Sequence, residues 1–157
     1  MAKVVDEQLM LRRTSSNFRL FPEGASAEKC TIEAKVTRAG GRLAKVSSSI
    51  FFSYKDNRNF WELRMQLYSV SSKKTGEWIL RHKKDGMFVE KHSIADIMNR
   101  NQQYLLNIEI SREQIIVKVD DVEKINMFLR GDKPTWGKIA LSNAGAGKSL
   151  FDDLTIY

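Results

Sequence analysis

Hydrophobic and polar residues alternate with a period of two along almost the whole chain. Every second residue is apolar in segments 30–36, 61–67 and 115–119. Successive side chains of a β-strand point to opposite faces of the sheet, so this pattern predicts strands with one buried face. We therefore expect an all-β protein. The predicted strands are 8–13, 17–21, 29–38, 44–54, 59–69, 76–83, 86–91, 103–111, 114–120, 122–127, 136–142 and 149–157.

Short polar or glycine-rich segments separate these strands. Asp85-Gly86 and Asp120-Asp121 are residue pairs that tolerate the backbone of tight turns, and the second pair predicts a hairpin. Many short strands with turn signals every 8–12 residues are typical of a β-sandwich or barrel. The sequence therefore predicts a two-sheet antiparallel sandwich.

One segment, 93–100, has a helical pattern. Ser93 and Asp96 have the spacing of a capping box, and Ile94, Ile97 and Met98 would share one helix face. We predict a single short helix there.

Length and composition indicate one domain spanning residues 1–157. A chain of 157 residues that is 42% hydrophobic can bury a sizeable core without disulfides. Cys30 is the only cysteine, and its alternating flanks predict a buried thiol. No apolar run approaches the roughly 18 residues of a membrane span. Residues 1–7 lack the pattern of a signal peptide.

The chain is basic, with a formal net charge of +7. An excess of positive charge can attract an acidic glycan, a nucleic acid or an anionic surface. The basic residues are scattered along the chain, however, and are not interleaved with aromatic residues as in nucleic-acid modules. We do not expect a nucleic-acid partner, and most of these charges are expected on solvated strand faces and loops.

The segment 145–149, Gly-Ala-Gly-Lys-Ser, ends like a phosphate-binding loop. The full motif requires a glycine five positions before Gly147, where this chain has Ser142. It also requires a following helix, whereas segment 150–157 alternates as a strand. We therefore predict a hairpin loop rather than a nucleotide site.

Three segments carry a resemblance to a known fold family. They are 136–143 (Trp-Gly-Lys-Ile-Ala-Leu-Ser-Asn), 149–157 (Ser-Leu-Phe-Asp-Asp-Leu-Thr-Ile-Tyr) and 49–54 (Ser-Ile-Phe-Phe-Ser-Tyr) followed by Asp56, Asn59, Phe60 and Trp61. Together they resemble concanavalin A-like (laminin-G-like) jelly-roll domains. The resemblance implies a sandwich of two curved sheets whose concave face binds carbohydrate.

The same resemblance implies several functions. Its members include lectin-like carbohydrate-binding modules, glucanases and protein-binding domains, and a branch named for 3-keto-disaccharide hydrolase activity is similar in size and ending. It suggests a location outside the cytoplasm and a poly- or oligosaccharide partner, including an acidic one. The oligomeric state is left open.

Catalysis by the glucanases of this fold requires paired carboxylates on one strand face. Two carboxyl groups must lie about 5–5.5 Å or about 6.5–9.5 Å apart. The closest strand contains Glu62, with Arg64 and Gln66 at the positions where partner acids would lie. The pairs Asp120-Asp121 and Asp152-Asp153 are adjacent, so on a strand their side chains would point to opposite faces. We predict no catalytic residue and favour a non-enzymatic role, with a hydrolase or lyase as the alternative.

A ligand-binding face is the favoured alternative to catalysis. Strand 59–69 places apolar residues on one side and polar residues on the other, and its neighbours extend the polar side. Aromatic rings and planar polar groups bind sugars, whereas an ordinary solvated sheet with a Glu62–Arg81 ion pair would give the same sequence pattern. The candidate ligand-binding residues are Tyr54, Glu62, Arg64, Gln66, Tyr68, Glu77 and Arg81.

Two further expectations concern tryptophan and metal. Trp61, Trp78 and Trp136 are predicted to lie in the core. Calcium is common in the resembling family, and segment 56–59 or the pair Asp152-Asp153 could supply oxygen ligands. Neither has a regular spacing of carboxylates, so we expect no tight metal site.

Overall fold

The described residues form strands and turns without a helix. The computed structural model describes residues 3–5, 9–12, 30–39, 45–68, 75–130, 134 and 138–157, the first two ranges as backbone only. Among these residues there is no helix that could cross a membrane. The strands are β1 (Lys3–Val5), β2 (Leu9–Arg12), β3 (Cys30–Ala39), β4 (Val46–Asp56), β5 (Asn59–Leu67), β6 (Gly76–Lys84), β7 (Met87–Asp96), β8 (Gln103–Ile110), β9 (Gln114–Val119), β10 (Val122–Phe128), β11 (Lys138–Ala144) and β12 (Lys148–Ile156).

The strands form two antiparallel sheets, as the alternation predicts. One sheet has seven strands, in the order β1-β12-β3-β8-β9-β10, with β2 also paired to β12. The other has five strands, in the order β11-β4-β5-β6-β7. Both sheets join strands that are distant in sequence, so the connections cross between the sheets. The predicted strand 17–21 lies outside the described residues.

One hydrophobic core lies between the inner faces of the sheets. Ile32 and Ile108 from the seven-stranded sheet belong to the same buried cluster as Trp61 and Trp78 from the five-stranded sheet. The predicted burial of these two tryptophans is confirmed, and so is that of the Cys30 thiol, which is unpaired and buried. Trp136 lies outside the described residues.

The predicted helix at 93–100 is wrong, because the segment continues β7 to Asp96. Each of its first four residues pairs with β6, from Ser93 opposite Ile79 to Asp96 opposite Gly76. The Asp96 carboxylate accepts a hydrogen bond from the Trp78 indole at 2.9 Å instead of capping a helix. Pairing with the edge of β6 thus outweighs a local capping signal.

The β9–β10 hairpin forms at the predicted position. Asp120 and Asp121 both have positive φ angles, 49° and 65°, as a two-residue turn between twisted strands requires. The Asp120 carboxylate also accepts a hydrogen bond from the Leu105 amide at 2.8 Å. This pair therefore has a structural role.

The β11–β12 connection is a loop, as predicted, but it is not a hairpin, because β11 and β12 belong to different sheets. This loop is organised around a buried arginine. Arg38 continues the inward-facing positions of β3 and is fully buried. Its guanidinium donates to the Asn143 Oδ1 atom, to the Ser149 hydroxyl at 3.0 Å and to the carbonyls of Ala144 and Ala146. Carbonyl oxygens here surround a cation, whereas a phosphate-binding loop directs amide N–H groups at an anion.

Candidate functional site

The strand β5 separates the residues of the candidate site from those of the core. Trp61, Leu63 and Met65 lie in the core, while Glu62 and Arg64 lie on the opposite side of the sheet. We call that side the outer face of the five-stranded sheet. The register extends it to the neighbouring strands, because directly opposite residues share a face. The predicted division of β5 into two faces is therefore confirmed.

Glu62 is at the centre of the outer face and is fully buried. Its Oε1 atom accepts hydrogen bonds from the Ser49 hydroxyl at 2.7 Å and from Arg64 Nε at 2.9 Å. Its Oε2 atom accepts from Arg81 Nε at 2.5 Å. Ser49 and Arg81 lie opposite Arg64 and Glu62 on strands β4 and β6, respectively. The predicted Glu62–Arg81 pair is therefore present as part of an ionic group of Glu62, Arg64 and Arg81, in which the carboxylate is buried and the arginines are partly exposed.

This ionic group keeps Glu62 ionised. Burial alone raises the pKa of Glu62, but the Arg64 cation, the Ser49 hydrogen bond and the Arg81 cation outweigh burial and lower the pKa below its ordinary value of 4.5. One negative charge is thus shared by two positive charges. The group carries a net charge of +1 at neutral pH.

The two arginines present unused donors. The exposed fraction of the side chain is 26% for Arg64 and 18% for Arg81. Each guanidinium contacts Glu62 through Nε, and within the described part of the chain neither one uses its terminal Nη groups in a hydrogen bond. A guanidinium held at Nε keeps a rigid fork of N–H donors for another acceptor.

A second hydrogen-bonded group lies farther along β5. Gln66 Nε2 donates to the Glu77 Oε1 atom at 2.8 Å, and the Tyr68 hydroxyl donates to the same oxygen. Burial and the bond to Glu77 raise the pKa of Tyr68. Lys45 Nζ lies 5.7 Å from the centroid of the Tyr68 ring. The structure thus brings the predicted Gln66, Tyr68 and Glu77 together beside the ionic group.

Tyr54 lies apart from the other predicted residues, in an aromatic cluster. Its ring stacks on Phe60 with centroids 6.0 Å apart, and Phe51 meets both rings edge to face. The β4–β5 pairing is irregular between Phe52 and Asp56, and Ser53 in this stretch has a positive φ of 48°. The irregularity turns the Tyr54 side chain toward Phe60. Tyr54 therefore belongs to the opposite end of the outer face from Tyr68.

Sequence reasoning missed several residues of the outer face. Ser49 could have been found by extending the alternation to β4, where it is opposite Arg64. Phe88 and Lys91 lie within the predicted strand 86–91, but regular alternation places them on opposite faces. The irregularity in the β6–β7 pairing brings both to the outer face. Arg81 Cζ lies 4.0 Å from the centroid of the Phe88 ring, and Lys91 is directly opposite Arg81.

The suggested calcium ligands have other partners. The Asp56 carboxylate accepts hydrogen bonds from the Arg58 amide and from the Asn59 side chain, and Asp153 forms an ion pair with Lys35. No group of three metal-ligating side chains occurs among the residues that the structure describes.

The adjacent aspartates do not follow the strand geometry expected from the sequence. Asp120 and Asp121 form the predicted hairpin turn, so neither lies on a regular strand. Asp153 has a φ of 50°, and the β12–β3 pairing is irregular between Asp152 and Thr155. Neither pair therefore lies on a regular strand with its two side chains pointing to opposite faces.

Comparisons with known proteins identify the fold. No protein-family model matches the chain, and no curated protein matches it in sequence. The carbohydrate-binding module CBM66 from Bacillus subtilis is 16% identical, with a TM-score of 0.65 over 99% of this chain and 91% of that chain. Sheep galectin-11 is 11% identical, with a TM-score of 0.66 over 90% and 99% of the two chains.

A fructosyltransferase from A. japonicus also matches, with 12% identity and a TM-score of 0.70. The match covers 99% of this chain but 26% of the enzyme, so it concerns one part of that longer protein. Together these similarities show that the chain has the concanavalin A-like, lectin-type jelly-roll fold that the resemblance implies.

Proposed function

We propose that this protein is a non-catalytic, lectin-like module that binds a poly- or oligosaccharide on the outer face of the five-stranded sheet. The observation that carries the proposal is the buried Glu62 carboxylate, which holds Arg64 and Arg81 by their Nε atoms. Donors fixed in place before binding lose less conformational entropy when a ligand arrives. Pairs of sugar hydroxyls are suitable acceptors for such forks.

The surroundings of the arginines also suit a sugar. Gln66 and Glu77 provide planar polar groups at one end of the face, and Tyr54 provides an aromatic ring at the other. Ligand sites combine apolar surface with a few well-placed polar groups in this way. Solved proteins that share the fold include a carbohydrate-binding module and galectins, which also supports this proposal.

The chemistry of Glu62 favours binding over hydrolysis. A general acid for glycoside cleavage needs a raised pKa, so that it is protonated near neutral pH. Two guanidinium groups lower the pKa of Glu62 instead. We therefore propose that Glu62 positions Arg64 and Arg81 and does not transfer a proton.

We also propose that the glycan carries acidic groups. The strand register shows which charged residues share the outer face. Its described carboxylates are Glu62 and Glu77, and they are outnumbered by lysine and arginine side chains. An unbalanced positive surface attracts a polyanion. The described cations of the face are Arg64, Arg81, Lys83, Lys91 and Lys138 on the strands and Lys45 beside Tyr68.

Replacing Arg64 by alanine is expected to weaken glycan binding at least tenfold. A hydrogen bond from a charged donor contributes about 1.5–3 kcal/mol, and about 1.4 kcal/mol corresponds to tenfold in affinity. A glycan array identifies the bound sugar, and calorimetry then compares the wild type with Arg64→Ala. Arg130→Ala, an exposed arginine outside the face, is the matched control. Equal affinity of Arg64→Ala and the wild type, or release of reducing ends from the bound glycan, would contradict the proposal.

A further inference from the structure

One corner of the outer face combines three cations with exposed aromatic surface. Arg81 and Lys91 are directly opposite each other on β6 and β7, and Lys83 lies two residues beyond Arg81 on the same face. Lys83 Nζ lies 5.5 Å from the ring centroids of both Phe60 and Phe88. We call Arg81, Lys83, Lys91 and Phe88 the basic corner.

Described residues balance the charges of the basic corner only in part. Like charges directly opposite each other on neighbouring strands are unfavourable. In ranges 45–68 and 75–130, the carboxylate that pairs with this corner is Glu62, which Arg64 also uses. Neither Lys83 nor Lys91 has an ion pair with a described residue. An added anion would remove this repulsion.

Phe88 gives the corner a surface for a sugar ring. Its exposed fraction is 46%, although it is a large apolar residue. Its ring also lies against the Arg81 guanidinium and near Lys83, and such cation–π contacts restrict the positions of both cations. Apolar surface and oriented positive charge thus occur side by side.

The opposite end of the outer face has a different character. Glu77 is there, hydrogen-bonded to Gln66 and Tyr68. From Phe60, at the basic corner, to Gln66 the strand β5 spans six residue steps, or roughly 20 Å. Lys45, beside Tyr68, offsets the charge of Glu77 at that end, so the excess of positive charge lies at the basic corner.

We infer that the basic corner binds a carboxylate or sulfate substituent of the glycan, while uncharged sugars lie toward Tyr68 and Glu77. This inference rests on the proposed function and adds the chemical class and the position of the recognised group. Arg81 and Lys91 contact the anion from two strands, and Phe88 packs against the sugar that carries it.

Paired polysaccharides test this inference. Dextran sulfate is compared with unsulfated dextran, and polygalacturonate with its carboxyl-reduced form, by calorimetry. We expect the wild type to bind at least one charged polymer about tenfold more tightly than its neutral counterpart, because two or three charge pairs each contribute up to about 1 kcal/mol. The two pairs of polymers distinguish sulfate from carboxylate. The difference should shrink between low salt and about 0.15 M salt.

The double variant Lys83→Gln/Lys91→Gln should lose about tenfold in affinity for the charged polymer, and Lys83→Arg/Lys91→Arg should retain wild-type affinity. Lys118→Gln removes the same charge from the seven-stranded sheet and should change affinity less than about twofold. An unaffected glutamine double variant would overturn the inference alone. Equal binding of charged and neutral polymers would also overturn the proposed acidity of the glycan, while leaving glycan binding on the outer face in place. Failure to bind any glycan on an array would overturn both.

Discussion

Replacing Glu62 by glutamine is expected to lower the free energy of unfolding by about 3 kcal/mol, because it leaves two arginines without their shared anion. Glu62 is fully buried and accepts bonds from Ser49, Arg64 and Arg81. Removing one partner of a buried pair costs about 3–5 kcal/mol, and the partial exposure of both arginines favours the lower end. Urea denaturation measures the change.

Glu109→Gln is the matched control for this substitution. Glu109 forms an ion pair with Lys118 at 2.6 Å on the seven-stranded sheet, where both side chains are partly exposed. Its loss should cost less than about 1 kcal/mol. Equal effects of the two glutamine substitutions would show that Glu62 does not organise the arginines as described.

The effect of Glu62→Gln should depend on pH. The pKa of Glu62 is lower in the folded protein than its ordinary value of 4.5, so ionised Glu62 stabilises the fold fully above pH 4.5. That stabilisation is lost as the pH falls through the lowered pKa. The difference in unfolding free energy between wild type and variant should therefore shrink in acid.

Arg38→Ala is expected to lower the free energy of unfolding by about 3 kcal/mol. The substitution removes the donor for Asn143, Ser149 and three backbone carbonyls, and it also leaves a cavity. Burial, and then the nearby Arg100 cation, lower the pKa of Arg38 to about 10, so the group remains charged at neutral pH. Removing the buried Arg38 charge also removes the cost of its desolvation. The net loss of unfolding free energy is therefore smaller than the number of lost hydrogen bonds suggests.

Hydrogen exchange distinguishes a general loss of stability in Arg38→Ala from a local loss of order in the β11–β12 loop. Hydrogen exchange in Arg38→Ala should increase first in residues 144–147, because Arg38 binds the carbonyls of Ala144 and Ala146. Arg38→Met keeps much of the volume without the donors and should show the same local increase. Wild-type exchange rates in this loop would mean that its backbone holds it without Arg38.

The alternation of residues predicted most of this fold because one buried face is sufficient to determine a strand. It also contained a signal for Arg38, since the inward positions 30, 32, 34 and 36 of β3 continue to 38. The helix at 93–100 failed because its capping pattern is local, whereas β7 forms through pairing with β6. The helix propensity of a short segment does not depend on whether a neighbouring strand has an edge available for pairing.

The candidate site was only partly predictable for a related reason. Periodicity placed Glu62, Arg64 and Gln66 on one face, but it could not show that Glu62 is completely buried. That burial depends on Ser49 and Arg81 from neighbouring strands, so it requires the register. Tyr54 was assigned to the same face without the irregularity that turns it toward Phe60.

The most direct test of the proposed function is an NMR titration with the tightest-binding glycan from the array, observing the backbone amides and the arginine Nε–H groups. We predict that the largest shift changes occur at the Nε–H groups of Arg64 and Arg81 and at the amides of β5 and β6, because the ligand binds the guanidinium groups that Glu62 holds. Changes confined to the seven-stranded sheet or to the loop 145–147, with both Nε–H signals unmoved, would contradict binding on the outer face.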